Sequence, residues 1–342
     1  MSRKKQKAYA KAGVDVDLGN AVKSGIQALV KSTHGPQVLA KIGGFGGLFR
    51  PDFKGMKEPV LVSSVDGVGT KLKVAFALDR HDTVGQDLVN HCINDIAVTG
   101  AQPLFFLDYI AAGELNPMVF RSLLKGFAKA CKAGNCALIG GETAQMPGMY
   151  QSGEYDLAGT IVGVVDRAKM LDGSRVKPGD KLIGLASNGL HTNGYSLARQ
   201  VLFETMGLKP SSKLPELKLS VGEELLRVHK NYQPLMASLP TGVLHAAAHI
   251  TGGGLLDNLP RVLPNGCQAN IRKGSWTVPA IFRIIESGGS IDSTEMFQVF
   301  NMGIGMVLIV GASKADEIAK LTRGKIIGEI AKSSGPDPVI LV

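Results

Sequence analysis

Residues 66–71, with the sequence Asp-Gly-Val-Gly-Thr-Lys, combine residue types that bind phosphate groups and divalent cations. The segment follows an apolar, strand-like run at 59–65 and precedes a helix-like run. Its glycines let backbone N–H groups approach an anion, Lys71 can neutralise a phosphate, and Asp66 can hold a divalent cation. The spacing matches neither a Walker A loop nor G-x-G-x-x-G, because Leu72 replaces the third glycine. A tight turn with a surface lysine explains these residues equally well.

Further polar side chains recur on the helix predicted over residues 84–99. Asp87, His91 and Asp95 are spaced at i, i+4 and i+8 and share one face, and Asn94 lies in a neighbouring row. Apolar residues on the other side supply enough surface for a buried face. The pattern is typical of a ligand-binding face and also of an exposed polar face.

Glu142 is a third candidate ligand. It follows the strand predicted over 136–139, and ligand sites in α/β sheets usually lie beyond the carboxyl ends of strands. Asp66, Asp95 and Glu142 therefore indicate an Mg²⁺–nucleotide site, because Mg²⁺ prefers a few carboxylates together with phosphates and waters. The residues alone leave the alternative of unrelated surface acids open.

Three other segments concentrate glycine or polar groups. Residues 41–47 predict a mobile loop over a ligand, or an irregular linker. Residues 249–254, His-Ile-Thr-Gly-Gly-Gly, offer a second place where backbone N–H groups could hold a phosphate. Residues 187–194 contain His191, a possible acid, base or hydrogen-bond donor, although a lone histidine is more often structural or solvated.

Composition narrows the classes of protein that fit the 342-residue chain. A net charge of +9 suits anionic partners, but aromatics are only 6% of residues and no nucleic-acid motif is present. We therefore expect small phosphorylated ligands and no nucleic acid. The four cysteines lack metal-binding or disulfide-scaffold spacing, and we find no transmembrane or secretory pattern. These features predict reduced thiols, no membrane contact and a cytoplasmic location.

The order of strand-like and helix-like segments predicts an α/β or α+β architecture in two domains, residues 1–170 and 171–342. The boundary lies in the turn-rich segment 172–180. One helix has clear end signals: Asn116 is a predicted N-cap, proline follows at the first helical position, and Gly134 ends the helix. We also predict a helix over 221–229.

These segments, in this order, resemble the phosphoribosylformylglycinamidine cyclo-ligases, also called aminoimidazole ribonucleotide synthetases. The resemblance covers almost the whole chain, and the combination is more specific than any one motif. The segments that resemble the family are residues 9–15, 43–47, 64–71, 94–95, 103–109, 140–147, 155–159, 187–197, 245–254 and 296–306.

The resemblance implies the fifth step of purine synthesis. ATP phosphorylates the formyl amide oxygen of formylglycinamidine ribonucleotide, and an amidine nitrogen then displaces phosphate to close the imidazole ring. It also implies a homodimer in which the mixed N-terminal sheets pair into a barrel and C-terminal α/β domains frame the cleft.

The resemblance also assigns roles to individual residues. Asp66, Asp95 and Glu142 are similar to Mg²⁺ ligands, and Asp66, Lys71 and His191 to catalytic groups. The expected ATP-binding residues are Gly43, Gly44, Phe45, Gly46, Gly47, Gly67, Gly69, Thr70 and Asn94. The expected substrate-binding residues are Asn193, Thr251, Gly252, Gly253 and Gly254.

Two departures from the family pattern and three competing functions remain. Gln145 replaces a glutamate that is common in the family, and residues 34–37 replace a more basic segment. A kinase resembling thiamine-monophosphate kinase would share the acidic, glycine-rich core. A selenophosphate synthetase would need a cysteine near the first glycine loop, whereas no cysteine precedes Cys92. A non-catalytic nucleotide- or nucleic-acid-binding module would show no turnover.

Overall fold

Two β-sheets, one in each half of the chain, organise the computed structural model, which describes residues 7–39 and 42–342. The first sheet contains β1 (Pro59–Gly67), β2 (Gln102–Ala112), β3 (Ala137–Gln145) and β4 (Tyr155–Asp166). Their order is β1-β4-β2-β3, with β2 and β3 parallel and the other pairs antiparallel. The helices of this half are α1 (Ala8–Lys11), α2 (Val16–Gly25), α3 (Gln27–Lys31), α4 (Leu72–Ala77), α5 (Val84–Ala97) and α6 (Pro117–Ala133).

The second sheet has six strands in the order β10-β7-β9-β5-β8-β6. These are β5 (Lys181–Ala186), β6 (Leu244–His249), β7 (Cys267–Ile271), β8 (Ile304–Val310), β9 (Lys325–Lys332) and β10 (Val339–Leu341). Its helices are α7 (Tyr195–Arg199), α8 (Val221–Leu225), α9 (Gln233–Ala237), α10 (Gly254–Asn258), α11 (Ala280–Gly289), α12 (Ser293–Val299) and α13 (Ala315–Thr322). Strand and helix content in both halves agrees with the mixed α/β class expected from the sequence. No helix among residues 7–39 and 42–342 is long and apolar enough to cross a membrane.

Helix α5 is the central element of the first half. It packs against β1, β4 and α6, and thirteen of its fourteen residues are buried. Gly85 makes the close approach to α6 possible, since a Cβ there would lie 2.4 Å from the carbonyl oxygen of Leu123. Because α5 is enclosed on nearly all sides, its polar residues point into the protein and must find partners there.

Two elements differ from their predicted bounds. Strand β3 continues to Gln145, so Glu142 lies within a strand instead of beyond its end. Strand β3 is longer than predicted because it pairs in parallel with β2 as far as Gln145. The glycine-rich sequence of this segment gives no local sign of that pairing. Helix α8 ends at Leu225 instead of His229, because the following segment leaves the helix to bond with α5.

Helix α6 begins and ends where the sequence predicts. The Asn116 side chain accepts hydrogen bonds from the N–H groups of Met118 and Val119, and Gly134 is the C-cap. We expect Asn116→Ala to lower the free energy of unfolding by about 1 kcal/mol, since two helix N–H groups lose their acceptor. Urea denaturation measures this change. Asn116→Asp keeps the acceptor and is the matched control; equal stability of the alanine and aspartate variants would contradict the capping role.

Candidate active site

Two carboxylates and two imidazoles meet where the halves of the chain come together. Asp66 lies at the end of β1, His91 and Asp95 lie on α5, and His249 ends β6. His91 Nε2 is 2.9 Å from Asp66 Oδ2 and 3.9 Å from Asp95 Oδ2, and His249 Nδ1 is 2.8 Å from Asp95 Oδ1. The rings are buried and the carboxylates are partly exposed. We call this group the carboxylate–imidazole cluster.

Opposing effects set the ionisation of the cluster. Burial alone would raise the pKa of Asp66 and of Asp95, but hydrogen bonds and charge from His91 and His249 outweigh it, and both pKa values fall below their ordinary range. Burial also opposes protonation of His91, yet Asp66 and Asp95 raise its pKa. For His249 burial prevails and the pKa is lowered. At neutral pH the cluster therefore contains two ionised carboxylates that are partly exposed to solvent.

Buried hydrogen bonds fix the orientation of both imidazoles. Thr192 Oγ1 lies 2.8 Å from Nδ1 of His91 and 3.2 Å from Nδ1 of His229. His229 Nε2 lies 2.9 Å from Nε2 of His249. Each cluster ring thus uses one nitrogen for a carboxylate and the other for an interior partner, so the ring planes cannot turn freely.

Asp66 and Asp95 fit a divalent cation such as Mg²⁺. They are ionised and partly open to solvent, and Ser64 Oγ donates to Asp95 Oδ2 at 3.1 Å, which adds another oxygen nearby. Mg²⁺ binds oxygen ligands and commonly uses only one or two carboxylates besides phosphates and waters. These two residues can therefore hold the ion that the sequence predicts.

Glu142 lies apart from the other two predicted metal ligands. The sheet register aligns Asp66 with Gly159, Gly159 with Asp108, and Asp108 with Gly141. Neighbouring strands are about 4.8 Å apart, which places the backbone beside Glu142 about 14 Å from Asp66. The two carboxylates of one chain cannot ligate the same ion, so the predicted three-residue cluster must be corrected.

Glu142 instead lines a cavity of about 630 Å³ together with the glycine loop Gly43, Gly44, Phe45, Gly46 and Gly47. Burial raises the pKa of Asp108, another lining residue, to about 7, and the nearby charge of Glu142 adds to the rise. The absence of a side chain at Gly141 leaves room for the Asp108 carboxylate, since a Cβ at position 141 would lie 2.3 Å from Asp108 Oδ1. The structure thus brings the predicted loop and Glu142 together; residue 41 of that prediction lies outside the described residues.

Lys71 differs most from its predicted role. Its side chain is 0% exposed, and Nζ lies 2.8 Å from Asp87 Oδ2 while donating to the carbonyl oxygens of His191 at 2.9 Å and Arg227 at 2.7 Å. The ammonium charge is thus paired with a carboxylate, and two of its donors are bonded to carbonyl groups, all inside the protein. The prediction that Lys71 contacts phosphate is therefore corrected: Lys71 ties α5 to two loops of the second half.

Asn94 also has an interior role. It is fully buried, donates to the carbonyl of Lys230 at 2.8 Å and accepts from the N–H of Tyr232 at 2.9 Å. Its amide thus holds a loop and leaves no surface for a nucleotide, which corrects the predicted ATP contact. Thr70 is exposed, and its hydroxyl lies 3.1 Å from that of Ser196. The remaining predicted phosphate-side residues, Gly67 and Gly69, flank Val68 at the end of β1.

His191 is buried behind the cluster. Its side chain is 1% exposed, its ring stacks on His229 at 4.1 Å, and its backbone adopts a left-handed conformation with φ of 63°. Burial holds its pKa well below the ordinary value, so the ring is neutral. Neither ring nitrogen has a hydrogen-bond partner within the described part of the chain. In this position His191 cannot touch a substrate, and its predicted catalytic contact is corrected accordingly.

The predicted substrate-binding residues do converge. The Oδ1 atom of Asn193 would lie 3.3 Å from a Cβ at Gly252, so its side chain lies beside the triple-glycine turn. Asn258, which the sequence analysis did not select, shapes that turn by donating to the carbonyls of Gly252 and Gly254. The turn contains Thr251, Gly252, Gly253 and Gly254, with positive φ at the last two.

Gln145 has a structural role that explains one departure from the expected pattern. Its side-chain oxygen accepts from the N–H of Asp15, and its amide donates to the carbonyl of the same residue, both at 3.2 Å. Asp15 is the N-cap of α2. A glutamate at 145 would lack the donor for the Asp15 carbonyl, so glutamine suits this contact.

Two family profiles match most of the chain. The profile described as AIR synthase related protein, N-terminal domain, matches residues 53–165, and the corresponding C-terminal domain profile matches residues 177–340. A phosphoribosylformylglycinamidine cyclo-ligase of Syntrophotalea carbinolica is 54% identical over 98% of this chain and 97% of its own. The chain belongs to the phosphoribosylformylglycinamidine cyclo-ligase family. A relative of the same name from Citrifermentans bemidjiense is also 54% identical, over 98% of each chain.

Solved structures show how widely the fold of this cyclo-ligase family is shared. The hydrogenase maturation protein HypE in complex with ATP aligns with a TM-score of 0.68 at 17% identity, over 97% of this chain and 93% of its own. The thiamine-monophosphate kinase of Stenotrophomonas maltophilia aligns with a TM-score of 0.66 at 18% identity, over 92% and 95%. At such identities the likeness establishes the fold alone.

Proposed function

We propose that the protein converts formylglycinamidine ribonucleotide to 5-aminoimidazole ribonucleotide with ATP, and releases ADP and phosphate. The full-length identity of 54% to named cyclo-ligases carries this proposal. The γ-phosphoryl group of ATP moves to the formyl amide oxygen. The amidine nitrogen then attacks the formyl carbon and loses a proton, and the bond between that carbon and the phosphorylated oxygen breaks as phosphate leaves. Phosphorylation is needed because an amide oxygen is a poor leaving group and phosphate is a good one.

The residues of the chain must align two substrates and balance the charge of the transferred group. When bound, Mg²⁺ would supply that charge balance, and Asp66 and Asp95 would hold it. The turn around Gly252 and the side chain of Asn193 offer polar groups for the ribose phosphate of the substrate. We place the nucleotide against the glycine loop at 43–47, which borders the cavity that contains Glu142.

A homodimer would bring the two separated parts of this site together. Strands β1 and β3 are the edges of the first sheet as described, and Asp66 and Glu142 lie on these opposite edges. A barrel formed from two such sheets can pair the β1 edge of one subunit with the β3 edge of the other. Glu142 of the partner subunit would then approach Asp66. The exposed apolar side chains of Leu61 and Val65 on β1 support burial of this sheet in a dimer.

Replacement of Leu61 tests this assembly. We expect Leu61→Asp to convert the dimer to monomer, because a charge would be buried without a partner in the sheet-to-sheet contact. Sedimentation equilibrium measures the mass. Leu321 is a matched control, since it is 56% exposed on α13 and Leu61 is 61% exposed on β1. An L61D protein that stays dimeric, as L321D should, would contradict the barrel.

Product analysis tests the reaction itself. The purified protein is incubated with formylglycinamidine ribonucleotide, ATP and Mg²⁺, and the products are quantified by chromatography and mass spectrometry. We expect ADP, phosphate and 5-aminoimidazole ribonucleotide in equal amounts. ADP without the imidazole product would refute the proposal, and a phosphorylated product from thiamine monophosphate would favour the kinase alternative.

Four free cysteines and these nucleotide substrates support a cytoplasmic location.

A further inference from the structure

The carboxylate–imidazole cluster contains two imidazole nitrogens, whereas Mg²⁺ sites in proteins are built from oxygen ligands. One ligand atom each from His91, Asp95 and His249 lies within 4.8 Å of the others, and Asp66 Oδ2 lies 2.9 Å from His91 Nε2. Two imidazole nitrogens and one carboxylate oxygen therefore surround one small volume, and the Asp66 carboxylate lies beside it next to His91. A four-coordinate ion with ligand bonds of about 2.0–2.2 Å can take three such protein ligands and leave its fourth position to another carboxylate or to water.

The donor atoms favour a different class of metal from Mg²⁺. Mg²⁺ and Ca²⁺ take oxygen ligands, whereas imidazole suits Zn²⁺, Co²⁺, Ni²⁺ and Cu²⁺. The surroundings also match those of metal-binding histidines, which usually engage their second ring nitrogen in a hydrogen bond. Thr192 does this for His91, and His229 does it for His249. The rings are thereby held with the correct nitrogens towards the carboxylates.

We propose that this cluster binds a borderline transition-metal cation, with Zn²⁺ as the test ion, through His91 Nε2, His249 Nδ1 and the Asp95 carboxylate, with the Asp66 carboxylate beside the fourth coordination position. When the ion binds, each ring keeps one proton on the nitrogen that faces its interior partner, Thr192 for His91 and His229 for His249, and any second ring proton passes to solvent. Because both carboxylates are also the Mg²⁺ ligands of the proposed function, Zn²⁺ competes with Mg²⁺ and inhibits turnover. Only this inhibitory effect rests on the proposed function; the binding does not.

The position of the cluster adds a second consequence. Asp66, His91 and Asp95 belong to the first half of the chain and His249 to the second, so one ion would link the two halves directly. A ligand that binds only the folded state raises its apparent stability. Zn²⁺ should therefore raise the thermal unfolding temperature of the full-length protein in the absence of nucleotide.

Calorimetric titration of the full chain with Zn²⁺, without nucleotide, tests the proposal. We expect one strong site, and His249→Gln should weaken it by at least about 100-fold, because loss of an outer-shell partner alone costs about 10–100-fold. Thr192→Val, which removes the hydrogen-bond partner of His91 Nδ1 and of His229 Nδ1 but no metal ligand, should weaken binding by about 10–100-fold. The matched control is His245→Gln: His245 lies on the same strand and contacts Asp180 at 2.7 Å, without a second imidazole. The H245Q protein should bind Zn²⁺ with the same affinity as the wild type.

The possible results separate this inference from the proposed function. Unchanged Zn²⁺ affinity in both H249Q and T192V would overturn the inference and indicate binding by thiols or other groups. Absence of Zn²⁺ binding in the wild type would overturn it as well. A protein that makes the imidazole product with Mg²⁺ but binds no Zn²⁺ refutes only the inference. One that binds Zn²⁺ through His249 but forms no product refutes only the function. If H249Q does not fold, T192V still decides the result.

Discussion

Asp66→Asn should lower kcat/KM by about 100- to 10,000-fold, which corresponds to about 3–5 kcal/mol of lost transition-state stabilisation. Asparagine removes one of the two negative charges available to the metal ion. It preserves the local fold, because the side-chain oxygen can still accept from the N–H of Gly67, which lies 2.6 Å from Asp66 Oδ1. Steady-state kinetics with Mg²⁺ and ATP measure the loss. Urea denaturation should show a change below about 1 kcal/mol.

Asp156 supplies a closely matched control for this substitution. Its carboxylate also accepts from the next backbone N–H, that of Leu157, at 2.8 Å, but Asp156 is exposed on β4 and belongs to no histidine cluster. Asp156→Asn should therefore keep wild-type kinetics. If D66N turned over as fast as the wild type, Asp66 would not be a metal ligand in the reaction.

Local sequence signals predicted the elements that position this site. The spacing of Asp87, His91 and Asp95 placed them on one face of a helix, and α5 indeed spans Val84–Ala97. Asn116 and Gly134 marked both ends of α6. These predictions succeed because helix periodicity and capping depend on residues a few positions apart. The close approach of His91 to Asp95 follows from the same i, i+4 geometry.

Contacts between distant residues could not be predicted in the same way. His249 lies 154 positions from Asp95, and neither its strand nor its neighbours indicate that it would close the cluster. The separation of Glu142 from Asp66 arises because β4, the last strand of its sheet in the chain, inserts between β1 and β2. Strand order depends on packing of the whole sheet. A list of acidic residues after strand-like runs therefore cannot distinguish one metal site from two separate sites.

The burial of Lys71 has the same origin. Lysine is almost never fully buried unless it is paired, so the sequence favoured an exposed phosphate-binding side chain. Its actual partners are Asp87 and two carbonyl groups that lie 120 and 156 positions away. Burial lowers the pKa of Lys71 and raises that of Asp87, and each charge opposes the shift of the other. Through its bonds to these two carbonyl groups, Lys71 connects the first half of the chain to the second. Loss of either charge of the Lys71–Asp87 pair should weaken that connection.

Lys71→Met should lower the free energy of unfolding by about 3–5 kcal/mol, because it leaves Asp87 buried without its counter-charge and frees two carbonyl groups. Urea denaturation of the full chain measures the loss. The matched control is Lys73→Met, two positions along: Lys73 also forms an ion pair, with Glu154, but is 44% exposed. Its loss should cost less than about 1 kcal/mol, since surface pairs contribute little.

A double substitution distinguishes the structural role of Lys71 from the phosphate contact that its motif suggested. Asp87→Asn removes the opposing charge while its Oδ1 can still accept from the N–H of His229, now at 2.6 Å. K71M/D87N should therefore be more stable than the sum of the single losses predicts. At a temperature where K71M is folded, its kcat should stay within about tenfold of the wild type, because Nζ faces the interior. A loss of about 1,000-fold or more in folded K71M, with no coupling to Asp87, would restore the catalytic role.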